Sequence, residues 1–530
     1  MPHEPQGSGN GVDLLELRVL DGPNRFFTRP AVKVEFTSQR AGDAAEVAAS
    51  AGLAIRRLHV ALGLPAPSMT SRRSVDDLRA LVAYPWRRRT ISQAIGSAAV
   101  RLVLGRGQEE RELAALRATA LGPLPRLPSP RIPVVTVTGT NGKSTTTRLI
   151  AHVAARSGRE VGMTNSDGIE LHGELVEAGD WTGFGGAGRV LAEPGLDLAV
   201  LETARGGILL RGIGYSANDV AVVTNISADH LGLQGIDTLD ELAEVKATVV
   251  RITRKSGWAV LNGEDARVWA MRRETAARWY AFSLDPAAPA VDTALEAGGR
   301  ASVLDRGWLV IRRADGPAIR VANVKELPLT LGGVARHNVA NALAATAACD
   351  ALDLPIAEIA GGLRTFGADA ARNPGRLNLF ARGGRGRGAV RVLVDFAHNE
   401  AGLRGLCDVA RGIAAPDGHV LLALGTAGDR TDAILRSLGE IAGSGADDVV
   451  IAEKPHYLRG RDLGQMNELL REGVRAGGFG GSADAFPSEV AALSELVRRA
   501  AAGDVVAVMV HAERPEVFAW LEREGFEPVS

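Results

Sequence analysis

The chain has 530 residues, of which 46% are hydrophobic and 23% charged, and its formal net charge is −1 at pH 7. This length predicts about three globular domains. The near-zero net charge gives no reason to expect binding to nucleic acid or to an acidic membrane surface. No apolar run in the sequence reaches the ~18 residues that a membrane-spanning helix needs.

The two cysteines, Cys349 and Cys407, lie in apolar, helix-like contexts and match no metal-binding spacing. Such low cysteine use favours a reducing compartment, and we expect a cytoplasmic protein. The first residues are polar and glycine-rich, without the apolar core of a signal peptide. We therefore expect residues 1–12 to form a disordered tail.

Residues 13–120 are predicted to form a small α+β domain. Apolar patterns predict strands over Leu14–Leu20 and Val32–Phe36, and amphipathic helices over Ala44–Leu62 and Ile91–Leu104. The tetrapeptide Asp21–Asn24 between the two strands is a turn signal. Five prolines between Leu121 and Pro133 exclude a helix there, and residues 121–132 are predicted to be a stiff linker.

Strands and helices alternate in the next predicted domain, residues 133–368. Near-continuous apolar runs are typical of parallel strands that are buried on both faces. These runs are Val134–Val137, Leu196–Leu201, Val220–Val223 and Trp258–Leu261. A more polar, β-rich stretch covers residues 301–329, and a strongly helical segment covers Asn338–Leu352.

A second α/β unit is predicted over residues 369–530, after a break near Gly367–Pro374. Its apolar strand candidates are Val390–Asp395, His419–Leu424, Asp448–Ile451 and Val505–Val510, each followed by helix-like sequence. The fold class is therefore α/β. A P-loop parallel-sheet ATPase domain is followed by a Rossmann-like α/β domain, and a small α+β domain precedes both.

The most informative segment is Thr136–Thr145, which reads T-V-T-G-T-N-G-K-S-T. An apolar strand enters it and a helix leaves it, which is the arrangement of a phosphate-binding loop. Val137 stands where the commonest spacing has its first glycine. The pattern predicts a nucleoside triphosphate whose terminal phosphates reach Lys143 and whose magnesium ion is held by Ser144. The predicted nucleotide-binding residues here are Gly139, Thr140, Asn141, Gly142, Lys143, Ser144 and Thr145.

Two further side chains follow strands that neighbour this loop in the predicted sheet. Glu202 closes the strand Leu196–Leu201, where a magnesium ligand belongs, although a helix N-cap carboxylate is the alternative. His230, after Asp229, follows the strand Val220–Val223, and we interpret it as a metal ligand. The predicted metal set is therefore Ser144, Glu202 and His230.

Other candidates carry weaker signals. Lys246 by itself is typical of a surface helix lysine. Arg376 lies in a Pro-Gly-Arg turn that could direct a guanidinium at a phosphate. Asp395 ends a strand, and the loop 425–430 follows the strand His419–Leu424 at a position suited to ligand contact.

These motifs, in this order from Ile132 to Glu513, resemble the Mur ligase family of ATP-dependent amide-bond-forming ligases. The resemblance covers Gly139–Thr145, Glu202, Asp229-His230, the segment His337–Ala342, Pro374–Arg376 and Asp395–His398. It implies catalytic roles for Lys143, Glu202, His230 and Lys246, the last of which is carbamylated in many members. It also implies nucleotide contacts from Asn338, Asn341, Arg376 and Asp395.

Within that family, three segments resemble the C-terminal ligase half of cyanophycin synthetases: Met163–Gly168, Leu201–Ile208 and Thr224–Leu233. Gly232 stands where cell-wall ligases usually have Asp. Leu14–Asn24 also resembles the start of those synthetases. Their ATP-grasp domain is absent, since only the proline linker separates the two matching parts. The resemblance thus implies a separate ATP-grasp ligase as partner, or a different acceptor.

The mechanism implied by the resemblance is ATP-dependent formation of an acyl phosphate, with Mg²⁺ as cofactor, followed by attack of an amine. We expect an amino acid and a carboxylated peptide or polymer as substrates, and a homo-oligomer. Weaker candidates for substrate contacts are His398, Asp429, Arg430, His456 and Arg459. The alternatives are a polyglutamate- or peptide-type ligase with another acceptor, and a non-catalytic nucleotide-binding partner of an ATP-grasp ligase.

Overall fold

The computed structural model describes residues 11–229, 231–367, 372–384 and 388–529. Its N-terminal domain is an antiparallel sheet of order β1-β2-β4-β3, on which α1 and α2 pack around the buried Phe36, Ile55 and Ile95. The elements are β1 (Val12–Leu20), β2 (Ala31–Ser38), α1 (Asp43–Ala61), β3 (Thr70–Arg73), β4 (Arg79–Pro85), α2 (Arg89–Val103) and α3 (Glu109–Arg117).

The central domain alternates strands and helices from residue 134. Its strands are β5 (Val134–Thr138), β6 (Val161–Thr164), β7 (Gly168–Leu171), β8 (Glu174–Ala178), β9 (Leu198–Glu202), β10 (Asn218–Val223), β11 (Thr253–Asn262), β12 (Arg278–Ser283), β13 (Arg300–Asp305), β14 (Trp308–Arg313) and β15 (Ile319–Asn323). Its helices are α4 (Lys143–Arg156), α5 (Phe184–Leu191), α6 (Arg205–Leu210), α7 (Leu239–Lys246), α8 (Thr248–Arg251), α9 (Ala266–Ala270), α10 (Pro289–Glu296), α11 (Arg336–Ala351) and α12 (Ile356–Thr365).

These strands form one sheet of order β15-β14-β13-β12-β11-β10-β5-β9-β6-β7-β8. The pairings from β6 to β13 are parallel, and antiparallel hairpins extend both edges. β5 is buried on both faces: Val135 and Val137 pack with α4 and α11, whereas Val134 packs in the core on the opposite face. The carboxyl end of β5 therefore lies at the middle of the sheet, where the phosphate loop begins.

The C-terminal domain has a sheet of order β20-β19-β18-β21-β17-β16-β22, parallel from β20 to β17. Its strands are β16 (Asn378–Arg382), β17 (Val390–Asp395), β18 (Val420–Leu424), β19 (Asp448–Ala452), β20 (Ala485–Phe486), β21 (Val505–Met509) and β22 (Glu527–Pro528). Its helices are α13 (Glu400–Ile413), α14 (Asp432–Gly445), α15 (Leu463–Ala476), α16 (Glu489–Arg499) and α17 (Arg514–Arg523). The predicted fold class is confirmed.

Several predicted boundaries differ from the structure. Residues 1–10 lie outside the described residues, and Val12, which we placed in the tail, begins β1 because its side chain is 1% exposed and it pairs with Ser38. Residues 119–133 form neither helix nor strand. The predicted domain boundary at 368/369 falls on residues outside the described ranges. No helix in the described ranges is long and apolar enough to cross a membrane.

Glycines let α14 and α15 pack at backbone distance in the C-terminal domain. A Cβ atom built on Gly439 would lie 2.2 Å from the Leu470 carbonyl oxygen, and one on Gly473 would lie 2.0 Å from that of Arg436. Both distances are far inside van der Waals contact with rigid backbone. This helix pair therefore requires glycine at both positions.

We expect Gly439→Ala to lower the free energy of unfolding by about 1–3 kcal/mol, because the two helices must separate to admit the methyl group. Chemical denaturation followed by circular dichroism measures it. Gly188→Ala is the matched control, since a Cβ atom at this helical glycine of α5 meets no atom within 4 Å. It should stabilise the protein by up to ~1 kcal/mol. Equal destabilisation by both variants would contradict the packing argument.

Candidate active site

The loop between β5 and α4 is packed too closely for any residue other than glycine at two positions. Gly139 has φ 147° and Gly142 has φ 85°. A Cβ atom on Gly139 would lie 1.8 Å from Thr224 Oγ1, and one on Gly142 would lie 2.3 Å from Asn341 Oδ1. The loop thus lies between the end of β10 and helix α11, and glycine is required at both positions.

The segment that follows β10 holds the loop in shape. Asn225 Oδ1 accepts a hydrogen bond from the Asn141 backbone N–H at 2.9 Å, and Thr224 Oγ1 donates to the Asn141 carbonyl at 2.6 Å. The Thr140 backbone N–H donates to the Asn225 carbonyl at 2.9 Å. These contacts fix the loop before any ligand arrives, which is the preorganisation that electrostatic catalysis needs.

Lys143 and Ser144 are the first two residues of α4. Lys143 Nζ donates to the Thr140 carbonyl at 2.9 Å, so the ammonium group is folded over the loop. The Ser144 hydroxyl is buried and lies 3.2 Å from the Ser166 hydroxyl. The unpaired N–H groups of the first helical turn add partial positive charge at the same point. The arrangement suits a polyphosphate.

Glu202 ends β9 and is 2% exposed. Among the described residues, none donates a hydrogen bond to its Oε2 atom. Burial raises the pKa of this carboxyl, opposed by Lys143 and by the Ser144 hydroxyl. A cation between Glu202 and Ser144 would satisfy the oxygen and offset the burial, which fits a magnesium ion.

The third predicted metal ligand, His230, lies outside the described residues. Within the ranges that the structure covers, no group of three or more His, Cys, Asp or Glu side chains forms a metal cluster. The described part of the predicted set is therefore one hydroxyl, Ser144, and one carboxylate, Glu202.

Lys246 is not the surface lysine that its local sequence suggests. It is the last residue of α7, is 3% exposed, and its Nζ donates to the Gly139 carbonyl at 2.6 Å. Burial lowers the pKa of this amine well below its ordinary value, and Lys143 lowers it further. The neutral amine is thereby favoured, and only a neutral amine can react with CO₂.

A cavity of about 310 Å³ separates the central and C-terminal domains in front of the loop. This volume is at the lower end of the range for small-molecule sites. Its lining includes Thr140, Asn141, Gly142, Lys143, Ser144, Thr145, Asn338, Asn341, Arg376, Asp395 and His398. Most of the predicted nucleotide contacts therefore meet here. Gly139, Glu202 and Lys246 are not part of the lining.

Helix α11 and the start of the C-terminal domain also line the cavity. Asn341 donates to the Asn338 side-chain oxygen at 3.0 Å. The Arg376 guanidinium carbon lies 4.3 Å above the centre of the Phe396 ring. Asp395 accepts from the backbone N–H of Leu377 at 2.8 Å, so this carboxylate also holds the turn that carries Arg376. Burial raises the pKa of Asp395, and Arg376 opposes the shift.

Polar contacts join the two domains across the mouth of the cavity. Asn141 and Asn399 exchange side-chain hydrogen bonds at 3.2 and 3.0 Å. Asp229 lies 3.5 Å from His398 Nε2 and 3.3 Å from Arg430 Nη1, and Arg430 also donates to the His398 carbonyl at 3.2 Å. Of the predicted substrate residues, His398 and Arg430 thus reach the domain interface.

The remaining substrate candidates lie apart from the cavity. Asp429 is partly buried beside Arg430 but does not line it. His456 and Arg459 are exposed and are also absent from its lining. The short 3₁₀ helix Pro455–Tyr457 after β19 holds this segment on the surface. The structure therefore does not bring His456 and Arg459 to the site in this arrangement.

A buried ion pair that the sequence did not predict is linked by hydrogen bonds to a segment that lines the cavity. Lys454 and Glu489 form a salt bridge, and both side chains are 1% exposed. Glu489 also accepts from the backbone N–H groups of His511 at 2.7 Å and Glu513 at 2.8 Å. His511 Nε2 donates to the Ala397 carbonyl at 2.6 Å. The network thereby fixes the segment that carries Asp395 and His398.

In the sequence, only the positions of Lys454 and His511 after strands indicated this network. Lys454 and His511 each follow a parallel strand, β19 and β21, at the edge where ligands bind. Burial lowers the pKa of His511 well below its usual range, so its ring is neutral and donates through Nε2. The His511 ring also packs edge-on against Phe396, with centroids 5.1 Å apart.

We expect Glu489→Ala to lower the free energy of unfolding by about 3–5 kcal/mol, because it leaves the Lys454 ammonium buried and unpaired. The double variant Lys454→Met/Glu489→Gln removes that charge and should recover most of the loss. Glu468→Ala breaks the exposed pair with Arg475 and should leave unfolding nearly unchanged. Denaturant unfolding measures all three, and a double variant no better than Glu489→Ala would refute this explanation.

Two family models match the chain. Residues 137–349 match the Mur ligase middle domain, and residues 375–510 match the Mur ligase glutamate ligase domain. A solved bifunctional folylpolyglutamate synthase/dihydrofolate synthase with Mn, AMPPNP and L-glutamate bound has the same fold, with a TM-score of 0.53 and 21% identity. The match covers 74% of this chain and 89% of that one.

Two curated relatives are more similar in sequence. A cyanophycin synthetase from Trichormus variabilis is 41% identical over 350 residues, which are 66% of this chain and 38% of the relative. The chain therefore spans about two fifths of that synthetase. A UDP-N-acetylmuramyl-tripeptide synthetase from Deinococcus radiodurans is 31% identical over 380 residues, which are 69% of this chain and 70% of the relative. The chain belongs to the Mur ligase family.

Proposed function

We propose that the protein is an ATP-dependent carbon–nitrogen ligase, which joins a substrate carboxylate to an amine and releases ADP and phosphate. One observation carries the proposal. Lys143, Ser144, Glu202 and Lys246 meet at one glycine loop that opens into a cavity between two Mur ligase domains. The bound AMPPNP and Mn of the structural relative support nucleotide and divalent metal use.

Activation of the carboxylate is the first step. A carboxylate oxygen bonds to the γ-phosphorus of ATP, the bond between the γ-phosphorus and the bridging oxygen breaks, and ADP leaves. Lys143 and the backbone N–H groups at the start of α4 neutralise the charge that develops. Ser144, Glu202 and His230 would hold the magnesium ion, which supplies further charge neutralisation. Arg376 also lines this cavity.

Amide formation is the second step. The amine nitrogen bonds to the acyl carbon, the bond from that carbon to the phosphate oxygen breaks, and the nitrogen loses a proton. Water competes for the acyl phosphate, so the domains must meet over it. The Asn141–Asn399 amide pair and the Asp229–Arg430 ion pair form that closure. Arg430 and His398, at the rim, are our candidates for contact with the incoming amino acid or acceptor.

The substrates are inferred from the relatives. The name of the Deinococcus radiodurans relative indicates a peptide product, and L-glutamate is bound in the structural neighbour. We propose a carboxylated peptide or polymer as acceptor. A separate ATP-grasp ligase would supply that acceptor if it is a cyanophycin-type polymer, because in the sequence only residues 119–133 stand between the N-terminal domain and the Mur ligase domains.

We expect Glu202→Gln to lower the rate of phosphate release from Mg-ATP by about 100-fold or more, since the buried carboxylate that would hold the magnesium ion is removed. The assay pairs each amino acid with β-aspartyl-arginine peptides or polyaspartate as acceptor, and mass spectrometry identifies the product. Glu174→Gln, an exposed residue of β8, is the matched control and should keep full activity. ATP binding without turnover on every pair would instead favour a non-catalytic nucleotide-binding module.

Lys246 is proposed to react with CO₂, which gives a carbamate and one proton. The anion would help to hold a second metal ion beside the loop. We expect ¹³C-labelled bicarbonate to produce a carbamate resonance that Lys246→Met abolishes, and removal of dissolved CO₂ to lower turnover. Lys325→Met, on the 3₁₀ helix Val324–Glu326, is the control. An unchanged resonance in Lys246→Met would exclude this lysine.

A further inference from the structure

The Asp21–Arg25 loop, which the sequence identifies only as a turn, joins the N-terminal domain to the central domain through backbone contacts. The Asp21 backbone N–H donates to the Arg211 carbonyl at 2.8 Å, and the Ile213 N–H donates to the Pro23 carbonyl at 2.7 Å. A Cβ atom on Gly22 would lie 1.9 Å from the Ile213 carbonyl oxygen. The loop thus docks on the segment after α6 at a distance that requires glycine.

Asn24 fixes the direction of the next residue. It is fully buried, and its side-chain oxygen accepts from the backbone N–H groups of Phe26 and Phe27 at 3.0 and 3.1 Å. Its amide nitrogen donates to the Gly22 carbonyl at 2.9 Å. Both sides of the loop are therefore tied to one asparagine, and Arg25 is held pointing out of the N-terminal domain.

Arg25 pairs with two carboxylates on one face of α7. Its Nε donates to Glu244 at 2.6 Å and its Nη2 donates to Glu241 at 3.2 Å, and the Arg25 side chain is 4% exposed. Arg72 of β3 also pairs with Glu244, its Nε at 3.2 Å. A partly buried, forked arginine pair of this kind is geometrically specific and much less screened than a surface ion pair.

Helix α7 is held at both ends. At its start, Thr238 and Glu241 form a capping box, and Glu241 is also a partner of Arg25. At its end, Lys246 donates to the Gly139 carbonyl of the phosphate loop. Glu244 and Lys246 are two residues apart in this eight-residue helix, so they lie within one turn of each other. A shift of the helix at Glu244 is therefore a shift of the Lys246 amine.

We propose that Arg25 is a positioning residue of the ATP site, through which the N-terminal domain holds α7 and keeps Lys246 against the phosphate loop. The consequence for turnover rests on the proposed ligase function, whereas the effect on α7 does not. The segment Asp21–Asn24 then has a structural role, because it holds the loop that carries Arg25 against the central domain.

The test is Arg25→Gln in the full-length chain. We expect faster hydrogen–deuterium exchange in residues 239–246 and a fall in kcat for acceptor-dependent phosphate release of about ten- to a hundredfold, with the KM for ATP within about twofold. Arg211→Gln is the matched control. It removes an ion pair to Asp21 at the same domain interface, 2.9 Å long, without touching α7, and should change neither quantity.

Arg25→Lys keeps the positive charge beside Glu244. Its hydrogen–deuterium exchange in residues 239–246 and its kcat should therefore be close to those of the wild-type chain. If Arg25→Gln does not fold, Glu244→Gln removes the partner from the other side and should give the same exchange pattern. Unchanged exchange in residues 239–246, or an equal loss of kcat in Arg211→Gln, overturns the proposal. A wild-type chain without acceptor-dependent turnover would refute the ligase function, while the exchange measurement would still decide the role of Arg25.

Discussion

The burial of two ionisable side chains around one glycine loop is the constraint on which the site depends. Glu202 and Lys246 are almost fully excluded from solvent, and burial opposes the charged form of each. Neither side chain can be satisfied by water. The loop carbonyl satisfies Lys246, while Glu202 is left for a cation. We therefore propose that a metal-bound polyphosphate completes the electrostatics of the site.

The sequence predicted the buried parallel strands well, because a strand covered on both faces reads as an unbroken apolar run. Val134–Val137 and Val505–Val510 are examples, and both belong to strands inside their sheets. The edge strands β3 and β8 were missed because they lack that pattern. Every residue of β8 is exposed, and β3 is the polar tetrapeptide Thr70–Arg73. These strands form through pairing with neighbours, which no local periodicity records.

The candidate site divides in the same way. Glycines and the Lys143-Ser144 pair identify the phosphate loop locally, because the backbone itself binds the ligand there. Lys246 was indicated only by family resemblance, since its burial depends on where α7 packs. Glu489 and His511 were not found at all, because their partners are distant in sequence. His456 and Arg459 were among the weaker candidates for substrate contacts, and the structure leaves both on the surface.

The amide pair between Asn141 and Asn399 has a consequence for the catalytic cycle. Each hydrogen bond across the two domains replaces one to water, so its net contribution is only about 1 kcal/mol. The neighbouring Asp229–Arg430 pair is also polar. The two polar pairs can therefore break at little cost, whereas the burial of Ala335 in the C-terminal core and the 2.8 Å ion pair between Arg514 and Asp167 hold the domains together elsewhere. We expect the mouth of the cavity to open more readily than the rest of this interface.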